Sequence, residues 1–346
     1  MRKWIIFVCF FLFLALPVSA MEFTAPVAPD SALIYMPDEQ ETFGQGLWHI
    51  MKEALGVIRP EIAVSLRSCL SMLAAVMLFR IADAFSESAA GVLRLICAIV
   101  LGTAFLESAN TMIRLGAGTI RELSEYGKLL LPVMTAAIAA QGGTTTSAML
   151  YTGTIFFNTF LVSFITGVVV PALYIFLCLS VAECATENET LNNAKGFVKW
   201  LITWSMKWIL YIFTGYISIT GVVSGTVDAS TLKAAKITLS GVVPVVGNIL
   251  SDATETILIS AGVMKNAAGI YGIFAILALC VSPFVKIGVQ YVLLSLTGAA
   301  CGVFGYKPAG SLIKDFSVAM SLALAMTGTG CVMLLVSLVC YMRGMG

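Results

Sequence analysis

Charge is what this chain most lacks. Only 11% of its 346 residues are Asp, Glu, Lys or Arg, while 59% are hydrophobic, against roughly 25% charged in soluble domains. With a mean hydropathy of +0.96, the chain reads as an integral membrane protein. A net charge of +1 gives no electrostatic footing for nucleic acid, and no basic cluster with interleaved aromatics occurs. Histidine appears once, at His49, so an H-E-x-x-H zinc site is excluded and a Ser/His hydrolase would have His49 alone. G-x-S-x-G is absent. So is G-x-x-x-x-G-K-[ST], and any energy from ATP must therefore come through a partner. The chain contains no C-x-x-C. Cys69, Cys97, Cys178, Cys280, Cys301, Cys331 and Cys340 lie in apolar runs, and Cys184 lies beside one. They read as small packing residues, not as metal or redox ligands. The composition argues against an enzyme and calls for no cofactor.

What is present is long apolar sequence. Arg2 and Lys3 precede WIIFVCFFLFLALP, which ends in Val18-Ser19-Ala20. A charged start, an apolar stretch and small residues at the end form a secretory signal peptide over 1–20, cleaved after Ala20, with an uncleaved first span as the alternative. The following segment, 21–62, carries seven acids against Lys52 and Arg59, and Pro26, Pro29 and Pro37 suggest an extended extracytoplasmic leader. The rest, 63–346, is a multi-spanning membrane domain. Stretches near 20 apolar residues fall at 63–81, 91–110, 131–150, 152–182, 200–223, 268–298 and 317–341, with 242–263 as a doubtful eighth. The expected fold is an all-α polytopic bundle with six to eight spans. Gly142-Gly143 can form the turn between two of them or sit within the first.

A faint internal duplication runs through the domain. Pro132 and Pro244 stand 112 residues apart, as do Pro171 and Pro283, and Lys195 answers Lys307 at the same offset. Repeat units of about 91–199 and 200–315 follow. Three spans per unit would make the repeats inverted, as in many transporters; two spans plus a re-entrant segment would keep them parallel.

The segment from Ser240 to Gly272 is apolar, yet carries Asp252, Glu255 and Lys265 behind the breakers Pro244 and Gly247. On a helix, Asn248, Ser251, Asp252, Glu255 and Asn266 share one side and Ile249, Leu250, Ile257 and Met264 the other. Facing lipid, each acid would cost about 2.5–3.5 kcal/mol at the helix centre. Three readings are open: a helix lying flat in the interface, a polar face packed in the bundle or lining a wet cavity, and an acidic catalytic pair. The first usually favours Lys and Arg. The second agrees with the break just before the helix. The third lacks any partner histidine.

The run Pro244-Val245-Val246-Gly247, then Leu250-Ser251-Asp252-Ala253, then Lys265-Asn266-Ala267-Ala268-Gly269 resembles the stage III sporulation protein AE family. Signal peptide, length and polytopic remainder fit the same family. The resemblance implies a membrane subunit of a channel or secretion-like complex between mother cell and forespore, needed for forespore development after engulfment. It implies a location in the mother-cell membrane around the forespore. The implied partners are the other stage III A proteins, including a cytoplasmic ATPase, and forespore protein Q. No catalytic residues are carried over.

Among charges within spans, Lys286 follows Pro283 near the middle of 268–298, where snorkelling is hardest. It is the best candidate for a functional buried charge, with Asp252 or Glu255 as counter-charge. Lys207, Glu107 and Arg67 lie close enough to span ends to snorkel. Gly298 and Gly302 are spaced for close helix approach. The second function class is a secondary transporter of a small solute, supported by the duplication, the Pro-interrupted spans and Lys286. The mature protein should begin at Met21; mass-spectrometric detection of intact Met1–Ala20 in it would overturn the signal-peptide assignment.

Overall fold

The computed structural model describes residues 26–38, 41–85, 90–242, 247–303 and 307–343, with side chains for all of these except 84, 90, 221–262, 264, 265 and 307. A short α1 (Asp30–Leu33) precedes α2 (Phe43–Phe85), α3 (Ala90–Ala140) and α4 (Thr144–Phe164). A π-helical turn (Ile165–Val169) leads into α5 (Val170–Thr186), followed by α6 (Glu189–Val242), α7 (Gly247–Val303) and α8 (Lys307–Arg343). No strand occurs among the described residues. Helices satisfy their backbone polar groups within one segment, the condition a bilayer imposes. Among the described residues, five stretches are long and apolar enough to cross one: Phe43–Asp83, Gly91–Ala140, Thr144–Thr186, Asn266–Val303 and Pro308–Arg343. The protein is an all-α, multi-pass membrane bundle.

Two expectations change. The candidates 91–110 and 131–150 are not separate spans: α3 runs unbroken for 51 residues, roughly 75 Å at 1.5 Å per residue. The second candidate is cut at Gln141–Gly143 instead. There Gly143 N–H donates to Ile138 O (3.0 Å) and Gly142 N–H to Ala139 O (2.9 Å), with Gly142 at φ 90°. That is a Schellman end, whose left-handed position glycine adopts without a Cβ clash. The leader is not extended throughout, because α2 begins at Phe43 and carries Pro60 inside it. The candidate 200–223 lies on α6, whose described side chains end at Thr220.

Helices α7 and α8 form the centre, burying 61% and 56% of their most apolar stretches, against 22% for α2. They run antiparallel. A Cβ on Gly298 would lie 3.3 Å from Lys314 N and 3.4 Å from Gly310 O, and one on Gly269 would lie 2.6 Å from Met342 Cγ. Gly298 therefore permits near backbone contact, as its spacing with Gly302 suggests. Helix α3 runs parallel to α8: the Phe105 and Phe316 rings are 4.9 Å apart, and Thr135 Oγ1 donates to Tyr341 OH at 3.4 Å near the other end. Outside these, α4 and α5 pack on α3, and α6 packs antiparallel on α4 and α5. The outer face of α6 carries a series of exposed rings, with Phe197, Trp200 and Trp204 stacked and Trp208 tilted against the last.

The π turn bears on this packing. Val170 N–H donates to Ile165 O, five residues back, just before Pro171, which has no N–H to give. The extra residue re-aims α5 relative to α4, so one uncharged stretch packs on both α3 and α6. The contact of α4 with α6 depends on Gly153: a Cβ there would collide with the ring of Tyr216, whose hydroxyl donates to Met149 O at 3.0 Å. Gly153→Ala should destabilise the protein by about 1–3 kcal/mol through overpacking. Thermal unfolding in detergent measures this, and Tyr216→Ala in the same chain should relieve part of the loss.

Candidate functional site

The densest chemistry among the described residues lies where four helix ends meet. Helix α5 closes at Thr186, and Glu187 takes the left-handed conformation at φ 50° with its N–H on Glu183 O. Asn188 then starts α6, its Oδ1 accepting from Thr190 N–H at 2.8 Å, the usual service of Asn before a helix. This tight turn folds α6 back along α5 and brings Lys195 beside Glu183. Lys195 Nζ donates to Glu183 Oε2 at 2.8 Å and to Asp315 Oδ2 of α8 at 2.5 Å. The three side chains are only 9%, 19% and 14% exposed. Beside them Arg94 of α3 pairs with Glu187 at 2.8 Å, and Cys184 Sγ donates to Pro308 O at 3.4 Å.

One ammonium is shared by two carboxylates. Burial presses Lys195 toward neutrality, but the hydrogen bonds and charges of Asp315 and Glu183 outweigh it and hold its pKa above the usual lysine value. The lysine is charged. The node has one thiol, Cys184, turned to a backbone carbonyl, and among the described residues no three His, Cys, Asp or Glu side chains are grouped to hold a metal. Its evident action is mechanical: it fixes the ends of α3, α5, α6 and α8 to one another.

The residues singled out from sequence are placed differently. Pro244 lies outside the described residues, bracketed by the end of α6 and the start of α7. Gly247, Asp252, Glu255 and Lys265 fall on α7, with the side chains of the last three outside the description. Asn266 is exposed and Gly269 is buried against Met342. Lys286 is half-buried on the same helix. Because α7 is one continuous helix, Glu255 and Lys286 stand roughly 46 Å apart along its axis. Within one chain that helical separation, and the longer one to Asp252, is beyond the reach of an ion pair.

Sequence reasoning missed the node. Glu183 closes a run without charge that begins after Lys128, Lys195 entered only through the 112-residue offset, and Asp315 and Arg94 not at all. The available signal was an acid closing an apolar run with a lysine twelve residues on, across a polar turn.

Breaking a buried pair costs about 3–5 kcal/mol because a charge is left without its partner. Lys195→Met should lower stability by about that amount. Adding Glu183→Gln and Asp315→Asn should restore much of it. Equal losses for the single and triple variants, by thermal unfolding in detergent, would show that the node is not held by charge.

Comparison with known proteins agrees with the architecture. The sequence model described as stage III sporulation protein AE matches residues 40–344. Stage III sporulation protein AE of Bacillus subtilis (strain 168) is 25% identical over 182 residues, covering 53% of this chain and 46% of that protein. The match therefore spans about half the length of this curated relative. No solved structure matches. The match over residues 40–344, on a chain of long apolar helices, makes this protein a member of the stage III sporulation protein AE family.

Proposed function

We propose that the chain is a membrane subunit of a channel or secretion-like complex acting between mother cell and forespore, required after engulfment. The family match across residues 40–344 carries the reading. A multi-pass bundle without a nucleotide-binding loop supports the dependence on partners. The proposed partners are other stage III A sporulation proteins, with a cytoplasmic ATPase as the energy source and forespore protein Q on the opposite side. The mother-cell membrane around the forespore is the proposed location, with the leader outside the cytoplasm. Within this reading, the polar residues Asp252 and Glu255 of α7 meet protein or water in the assembly, behind the break at Pro244 and Gly247 that sets the helix's direction. Lys265, Asn266, Gly269 and Lys286 are the further candidate positions on the same helix.

Deleting the gene should leave vegetative growth intact and arrest development after engulfment has begun. Fluorescence microscopy of membrane-stained sporulating cells reads the stage of arrest. A growth defect in rich medium without sporulation, or transport of a defined solute by the purified protein alone in liposomes, would favour a secondary transporter instead.

A further inference from the structure

The outer face of α3 changes character along its length. Its exposed large hydrophobic residues run from Val92 to Leu106, stop, and resume at Leu129. In the gap, Glu107, Thr111, Arg114, Gly118, Arg121, Glu125 and Lys128 recur at alternating steps of four and three, which keeps them on one side of a helix. All but the half-buried Gly118 are exposed, as is the adjacent Glu122. Among the described residues none of these charged groups is in an ion pair. Arg114 Nε donates to Asn110 Oδ1 at 3.2 Å, and Glu122 Oε2 accepts from Ser31 Oγ at 2.8 Å. Glu107, expected near a span end, lies inside the continuous helix.

The same level of the molecule is apolar on its other side. Tyr174 of α5 donates to Asn110 at 2.5 Å, and a Cβ on Gly127 would lie 3.4 Å from Asn158 of α4. So α3 from 110 to 127 runs beside 174 to 158, a stretch without any charge that exposes Phe160 and Val168 outward. Helix α8 is likewise uncharged from Phe316 to Met342. Polar anchors bracket this level, with the Lys195 node near Phe105 and Phe316 at one end and the leader's Ser31 on Glu122 at the other. From Phe105 to Glu122 is about 25 Å along the helix, close to the roughly 30 Å of a hydrocarbon layer. One side of the chain suits lipid at this depth, and the face of α3 does not.

We propose that the face of α3 from Glu107 to Arg121 borders water within the membrane, as one wall of an aqueous path. Both acids and bases stand along it and its extension to Lys128 (Glu107, Arg114, Arg121, Glu125 and Lys128), so it suits polar cargo of either sign. The inference rests on the channel-subunit reading in one respect: other chains must close the path toward lipid.

The test is cysteine labelling in the native complex of sporulating cells, in a Cys178→Ser background, with a membrane-impermeant methanethiosulfonate. Glu107→Cys, Arg114→Cys and Arg121→Cys, with the near-isosteric Thr111→Cys guarding against misfolding, should react at rates close to Asp38→Cys in the leader. Val168→Cys and Ile175→Cys, at the same level on the apolar side, should react about 100-fold more slowly, because a thiol away from water stays protonated. Slow labelling at all four α3 positions would overturn the proposal, whether lipid or protein covers them. Fast labelling at Val168 and Ile175 would also overturn it, by placing the whole level outside the membrane. Either failure, with the developmental arrest of the deletion intact, would leave the channel-subunit reading standing.

Discussion

A lysine ammonium buried among helices is tolerable only when acceptors replace the water it has lost. Lys195 has two, and they come from opposite ends of the chain's architecture: Glu183 from the hairpin it belongs to, Asp315 from the central helix. The order of the bundle depends on that exchange. With α5, α6 and α8 fixed at one end, the apolar contacts higher up, such as Phe157 on Phe213 at 5.4 Å and Gly127 beside Leu334, fall into register. Lipid tails are as apolar as these side chains, so burial alone would not choose that register. Polar contacts between helices help to choose it: the node, Tyr174 on Asn110, and Gln290 on Ser108 at 3.1 Å.

Helix α3 shows why apolar windows mislead in such a chain. A window averages over all faces of a helix. From 107 to 128 the outer face is charged, which pulls the average down and makes the helix look interrupted. The inner face never stops: Ala109, Ile113, Ile120, Leu123 and Leu130 are all buried. Periodicity, rather than mean hydropathy, reports the continuity. The same averaging hid the extension of α2 into the leader, where His49, Lys52 and Glu53 share a helix with the later span.

Much of the rest was legible. The scarcity of charge gave the class, Gly142-Gly143 marked a turn as one of two readings, and the stretch after Pro244 gave the family. What could not be read was tertiary. Nothing local ties Lys195 to Asp315, 120 residues away, or tells an ion pair from a charge exposed to solvent. The supposed pairing of Lys286 with Asp252 or Glu255 within one chain failed for a simple reason. A proline inside a membrane helix looks like a break in sequence, yet neighbouring helices can keep the helix continuous through it, and Pro283 sits inside an unbroken α7.

The node is also ordered in time. Glu183 and Lys195 are separated by 12 residues, so their pair closes as soon as one helical hairpin has left the ribosome. Asp315 is made 120 residues after Lys195. At about 5–20 residues per second, that is roughly 6 to 24 seconds of synthesis. During this interval the hairpin is inserted with its lysine half-satisfied, and the arrival of the last helix completes the set. The third partner thus acts as a latch that only a chain translated past Asp315 can throw, and a product truncated before it would sit in the membrane with its lysine half-satisfied.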